Sequence, residues 1–356
     1  MPSISKLDRI RGSLLAGAVG DALGAPVEFM PIEDIVGQFG AKGPNSLEEG
    51  PYPAGSFTDD TQMTLFVAEG LIRTINRSKQ RGAVPGIDVM LHAHWRWLAT
   101  QGLWPIGEVV PDLLSSWLTE ISGLNEHRAP GRACVSSLQS GEVGTLDNAI
   151  NDSKGCGGVM RIAPVGLAWN ADPFRFGCEV AALTHGHTTG WLAAGCLAQI
   201  IHEIVEGADL DTAVESAMAK LERQPGHEET LRALEHAEAF AAMGKGTPEE
   251  VEGLGGGWIA EEALAISVYC AEVAPDLESA LRLAVTHSGD SDSTGCITGH
   301  ILGALHGVEV IPQRWLDQLD LRDVVETVAT DLYRATNDPD ALSDDGTYDV
   351  KRYPGV

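Results

Sequence analysis

Positive charge is scarce in this chain. Lys and Arg number 24 against 51 Asp and Glu, a formal net charge of −27. That balance argues against nucleic acid or an anionic membrane as a partner held by charge attraction, and no direct nucleic-acid binding is expected. Any bound anion would depend on a local cationic or metal-bearing site. Most of the carboxylates read as a solvated surface. Cysteine is sparse too. The six residues (Cys134, Cys156, Cys178, Cys196, Cys270, Cys296) form no CxxC pair, and in a chain this long they read as reduced core or lining residues. Strand-like alternation is nearly missing. No apolar run reaches the length of a membrane span; 296–305 is too short, and His300 and His306 interrupt or flank it. The first residues show no cationic segment leading into an apolar one, so no secretory leader is expected. These absences set the expectation of a cytoplasmic protein without a membrane partner.

Familiar catalytic signatures are missing as well. There is no HExxH and no Cys/His zinc spacing, no GxSxG elbow, and neither a Walker A nor a Rossmann glycine fingerprint.

What is present is apolar content of 44% in 356 residues, enough to bury a large core. Leu7, Ile10, Leu14, Ala18 and Ala22 recur at helical spacing, as do Met63, Phe66, Val67, Gly70 and Leu71. Further helical patterns cover 87–100, 108–120, 174–184, 190–206, 210–222, 228–243, 260–272, 276–286 and 315–335. The chain reads as all-α, a compact single-domain bundle over 1–335 with an acidic, turn-rich tail at 336–356. Stretches 37–57 and 244–257 read as loops. Gly295, Gly299, Gly303 and Gly307 recur every four residues. Glycine is costly inside a helix, so this stripe predicts a closely packed neighbour and a central helix.

The chemistry concentrates in two acidic stretches. One is Thr58-Asp59-Asp60-Thr61, where Asp59 reads as an N-cap with Gln62 as its capping-box partner. The other runs from Thr286 to Gly295, where Asp290 and Asp292 sit two apart among hydroxyls, ahead of the apolar 296–305 segment. If the two stretches meet, they offer four carboxylates plus the hydroxyls of Thr58 and Ser293. That all-oxygen set suits Mg²⁺ or Mn²⁺. Without a cation such a cluster repels itself, and two ions about 4 Å apart would relieve the repulsion. Both motifs are equally consistent with plain helix caps. Glu28 follows a Gly- and Pro-marked turn and is either a general acid/base or an exposed loop residue. Lys154-Gly155-Cys156-Gly157-Gly158 is a Gly-rich turn that could present N–H groups to a pyrophosphate. His185 lies in a Thr-His-Gly-His turn within reach of a ligand, whereas His92 and His94 read as structural.

Five segments together resemble the ADP-ribosylglycohydrolase family: GSLLAGAVGDALGAPVEF (12–29), GSFTDDTQMTLF (55–66), KGCGGVMRIAPVGL (154–167), LTHGH (183–187) and HSGDSDSTGCITGHILGALHG (287–307). They occur in the family's order. The resemblance implies a compact all-α fold with two Mg²⁺ or Mn²⁺ ions at the base of a cleft. Their ligands would be Thr58, Asp59, Asp60, Asp290, Asp292 and Ser293. The family often has Thr at the last position, and Ser keeps the hydroxyl. Glu28 matches a catalytic glutamate of the ADP-ribosylserine hydrolases. Gly155, Cys156, Gly157 and Gly158 match a loop lining the diphosphate, and His185 a residue near the ligand. The implied activity is hydrolysis of the bond between ADP-ribose and an acceptor, with Glu28, Asp60 or Asp290 assisting proton transfer. The implied partner is an ADP-ribosylated protein, modified on arginine or serine, or a small ADP-ribose conjugate such as O-acetyl-ADP-ribose. A non-catalytic ADP-ribose binder or immunity protein is the alternative.

Overall fold

The computed structural model describes residues 4–82, 86–107, 111–338 and 350–354, and among these the regular structure is helical, with no strand. The helices are α1 (Lys6–Gly24), α2 (Ile32–Phe39), α3 (Asp59–Arg81), α4 (Ile87–Thr100), α5 (Arg132–Ser140), α6 (Ala163–Ala168), α7 (Pro173–Ala182) and α8 (Thr188–Glu206). There follow α9 (Leu210–Leu221), α10 (Glu228–Met243), α11 (Pro248–Glu252), α12 (Ala260–Val273), α13 (Leu277–Ala284), α14 (Ser291–His306), α15 (Gln313–Gln318) and α16 (Arg322–Asn337).

The centre is the antiparallel pair α1 and α14. The glycine stripe explains its closeness. A Cβ on Gly303 would run into the Gly12 carbonyl, one on Gly299 into that of Ala16, and one on Gly295 into that of Gly20. Gly12, Gly20 and Gly24 on α1 return the fit against Gly303, Gly295 and Ser291. Two helices approach backbone to backbone where at least one of them lacks a side chain at each crossing point. Around this pair, α3 packs on α4 and α16, α8 on α6, α7 and α9, and α12 on α8, α10 and α14. One buried charge cluster joins α3 to α4: Glu69 accepts from Arg73 Nε and Arg96 Nε, each at 2.7 Å.

Several expectations change. The 108–120 segment yields only short 3₁₀ turns at Pro111–Leu114 and Leu118–Glu120, while 108–110 lie outside the described residues. The 315–335 pattern is two helices, because Leu321 adopts φ 50° and breaks it between α15 and α16. The 37–57 loop starts inside α2, and 244–257 contains α11. Of the acidic tail, 339–349 and 355–356 lie outside the described residues. Tyr353 is buried, with its hydroxyl donating to Asp331 at 3.0 Å.

Candidate active site

The α1–α14 pairing decides where the site falls. The helices run in opposite directions, so the last turn of α1 lies beside the first turn of α14. Asp21, in that last turn, bonds the start of α3. The N-termini of α3 and α14 therefore converge, and their backbone dipoles favour negative groups there.

Each acidic motif is placed by its helix start, though not in the way its spacing suggests. The N-cap of α3 is Thr58, not Asp59: the Thr58 hydroxyl accepts from Asp60 N–H at 3.4 Å. Gln62 turns elsewhere, with its Nε2 donating to the Glu126 carbonyl at 3.0 Å. Asp59 and Asp60 are thereby freed from capping. Gly131 N–H donates to Asp59 Oδ2 at 3.1 Å. Asp290 is the N-cap residue of α14 and Asp292 lies in its first turn, so the pair straddles a helix start.

A cavity of about 610 Å³ gathers Glu28, Asp59, Asp60, Gly155, Cys156, Gly157, His185, Asp290, Asp292 and Ser293 on its walls. Of the sequence-derived site residues, Thr58 and Gly158 are not on this wall. Thr58 is fully buried behind it, its hydroxyl donating to Asp21 at 2.9 Å. A second cavity of about 630 Å³, lined in part by Lys42, Asp276, Glu278 and Arg282, carries no carboxylate of either acidic motif.

The electrostatics are those of a crowded carboxylate nest. Burial, reinforced by the Asp292 and Asp290 charges, pushes Glu28 up to about 10. Asp59, Asp60 and Asp290 are each raised well above the usual carboxylate range, chiefly by burial and then by their neighbours. Asp60 Oδ2 is buried and has no hydrogen-bond partner. Oxygens of Glu28, Asp290 and Asp292 lie within 4.8 Å of one another. An orphaned buried oxygen beside like charges is the environment that a divalent cation relieves, so the residues fit such a group.

The neutral wall is built differently. His185 is held near 3 by burial and by Arg161, so it is an uncharged imidazole. Its Nδ1 meets Thr184 Oγ1 at 2.8 Å, which leaves Nε2 toward Gly155 and Gly157. Those glycines provide room rather than unusual torsions: a Cβ on Gly157 would press on Cys134 and the His185 ring. The turn itself is a single 3₁₀ turn, Cys156–Gly158. Its Cys156 N–H is already donated to the Trp258 carbonyl at 3.1 Å, and Cys156 Sγ donates to Asp290 Oδ2 at 2.7 Å. Buried Arg161 braces the turn through the Gly157 carbonyl. At the cavity mouth Phe29, in the left-handed region at φ 68°, stacks on Trp258 with centroids 5.1 Å apart. His94 is a buried core residue bonded to the Met90 carbonyl at 2.7 Å.

Sequence reasoning missed Asp21, the 129–134 wall, Phe29 and Trp258. Asp21 had a visible signal, being the one charged residue between Gly12 and Gly24 of α1. The wall residues had none, because only the tertiary fold brings them to the cavity.

The fold and site together define an all-helical protein with a carboxylate-lined cleft where two helix N-termini meet. The chain belongs to the ADP-ribosylglycohydrolase family, whose sequence profile matches residues 2–341. It is 26% identical to the ADP-ribosyl-[dinitrogen reductase] glycohydrolase of Rhodospirillum rubrum, over 88% of this chain and 91% of that one. It is 24% identical to the ADP-ribosylarginine hydrolase Tri1 of Pseudomonas putida, over 94% and 81%. A solved ADP-ribosylglycohydrolase-related protein complex superposes with a TM-score of 0.67 at 28% identity, covering 93% of this chain and 99% of that one. Family membership supports a hydrolase of ADP-ribose linkages. Among the described residues, no helix is long and apolar enough to cross a membrane.

Proposed function

We propose that this chain hydrolyses the glycosidic bond between ADP-ribose and an arginine or serine side chain of a modified protein, with two Mg²⁺ or Mn²⁺ ions. The observation that carries this reading is the meeting of Asp59, Asp60, Asp290 and Asp292 on one cavity wall, with Asp60 Oδ2 unpartnered. Asp59, Asp60, Asp290, Asp292 and the Ser293 hydroxyl, all on the cavity wall, would hold the ions, and the Thr58 hydroxyl would join them only by reaching past the wall from its bond to Asp21. When bound, the ions supply Lewis acidity toward sugar hydroxyls and a water.

The chain's own residues do the rest. Glu28 faces the same cavity, with a carboxylate oxygen within 4.8 Å of oxygens of Asp290 and Asp292, and carries the mobile proton. It gives that proton to the departing acceptor atom as the anomeric bond breaks, and the resulting carboxylate takes one from the attacking water. Asp60 and Asp290 stabilise the positive charge that develops on the sugar. The His185 imidazole and the Gly155–Gly157 turn form the uncharged side of the cleft, where the diphosphate would lie.

The test is a panel of ADP-ribosylated arginine and serine peptides and O-acetyl-ADP-ribose, assayed with Mg²⁺, Mn²⁺ or EDTA. Turnover of a peptide linkage that stops in EDTA is expected. Full turnover in EDTA refutes the cation role, and turnover of O-acetyl-ADP-ribose alone refutes the protein substrate. Asp292→Ala is expected to lose cation uptake while remaining folded, read by Mn²⁺ titration alongside circular dichroism.

A further inference from the structure

Asp21 is a fully buried acid that the proposed chemistry does not use. Both of its oxygens face the start of α3. Oδ1 accepts from Thr58 N–H at 2.8 Å and from the Thr58 hydroxyl at 2.9 Å. Oδ2 accepts from Thr61 N–H at 3.0 Å and from the Thr61 hydroxyl at 2.6 Å. The first turn of any helix has N–H groups without intrahelical partners. Here two of them are satisfied from another helix, and the clamped residues Thr58 and Thr61 flank Asp59 and Asp60.

The same turn of α1 also sets the second acidic pair. Gly24 lies so close to the Ser291 carbonyl and Asp292 N–H that a Cβ would overlap them, and Gly20 meets Gly295 in the same way. One helical turn, residues 20–24, thus touches the first turn of both α3 and α14.

A cap serving stability alone would not need an anion at this place. Ser, Thr or Asn caps helices well, and Asp21 adds repulsion with Asp292 inside an already crowded nest. We propose that Asp21 is a positioning residue for cation binding: by clamping Thr58 and Thr61, it sets how far Asp59 and Asp60 stand from Asp290 and Asp292. This rests on the cation reading of the site. Residues that orient metal ligands without touching the metal typically change affinity by about 10–100-fold when replaced.

The experiment compares Mn²⁺ affinity, read from the paramagnetic signal of the free ion, in wild type, Asp21→Asn, Thr61→Val and Val19→Ala. Asn keeps the volume but cannot accept from both threonines' N–H groups through two oxygens. Thr61→Val removes one of the four bonds from the other side. Val19 is a fully buried core residue of the same helix and reports loss of stability alone. The expected result is Mn²⁺ affinity about 10–100-fold weaker in Asp21→Asn, a smaller loss in Thr61→Val, and no change in Val19→Ala despite a lower melting temperature. Unchanged or tighter binding in Asp21→Asn overturns the proposal. So does an equal loss in Val19→Ala at matched stability. A wild-type chain that takes up no Mn²⁺ refutes the cation reading itself, a separate outcome visible before any variant is made.

Discussion

Glu28 and Glu272 are both carboxyls held above their ordinary range, and their surroundings give them different consequences. Glu28 faces the cavity among aspartates. Glu28→Gln is expected to lower kcat by about 10²–10⁴-fold, the usual span for a lost general acid, while Mn²⁺ uptake stays within a few-fold of wild type. Equal losses in turnover and uptake would instead make Glu28 a ligand. Glu272 is half-buried on α12 and is raised to about 7 by burial and by the Glu238 and Asp211 charges. Folded, it keeps its proton until about pH 7; unfolded, it releases it near the ordinary glutamate value of 4.5. Its ionisation therefore favours the unfolded chain, so its penalty is absent at low pH, grows as pH rises through this window and levels off above it. Glu272→Gln is expected to be more stable than wild type at pH 8 and indistinguishable at pH 4, by denaturant unfolding. A constant difference across pH would show that Glu272 does not titrate in this window.

At the scale of the element, the α1–α14 seam is the part most sensitive to a single methyl group. An alanine normally steadies a helix relative to glycine by roughly 0.5–1 kcal/mol. Gly37 in α2 has open space around its Cα, so Gly37→Ala is expected to follow that rule. Gly303→Ala would drive its methyl into the Gly12 carbonyl, and moving two backbones apart is expected to cost about 1–3 kcal/mol or more. Opposite signs for the two variants in chemical denaturation test this, and a stabilised Gly303→Ala would mean that the helices sit further apart. The four-residue glycine repeat was readable as a close-packing stripe. Its partner was not, because the small residues of α1 (Gly12, Ala16, Gly20, Gly24) are embedded in a helix buried over most of its length.

Across the whole molecule, the carboxylate nest links cation binding to stability. A ligand that binds only the folded chain adds about 2.7 kcal/mol at a hundred times its dissociation constant. Saturating Mg²⁺ or Mn²⁺ is therefore expected to raise the melting temperature above that in EDTA, and the rise should vanish in Asp292→Ala. An equal rise in that variant would place the stabilising ion elsewhere. The helical class, most helix spans, both acidic motifs and the family were determined by the sequence alone, because helical periodicity and short motifs are local properties of the chain. The break at Leu321, the capping of α3 by Thr58 and the hydrogen bonds of Asp21 to Thr58 and Thr61 were decided by the tertiary structure. The clearest case depends on what a distant segment presents: orphaned N–H groups at the start of α3 are satisfied by a carboxylate 37 to 40 residues earlier, on α1, which only the tertiary fold brings to them.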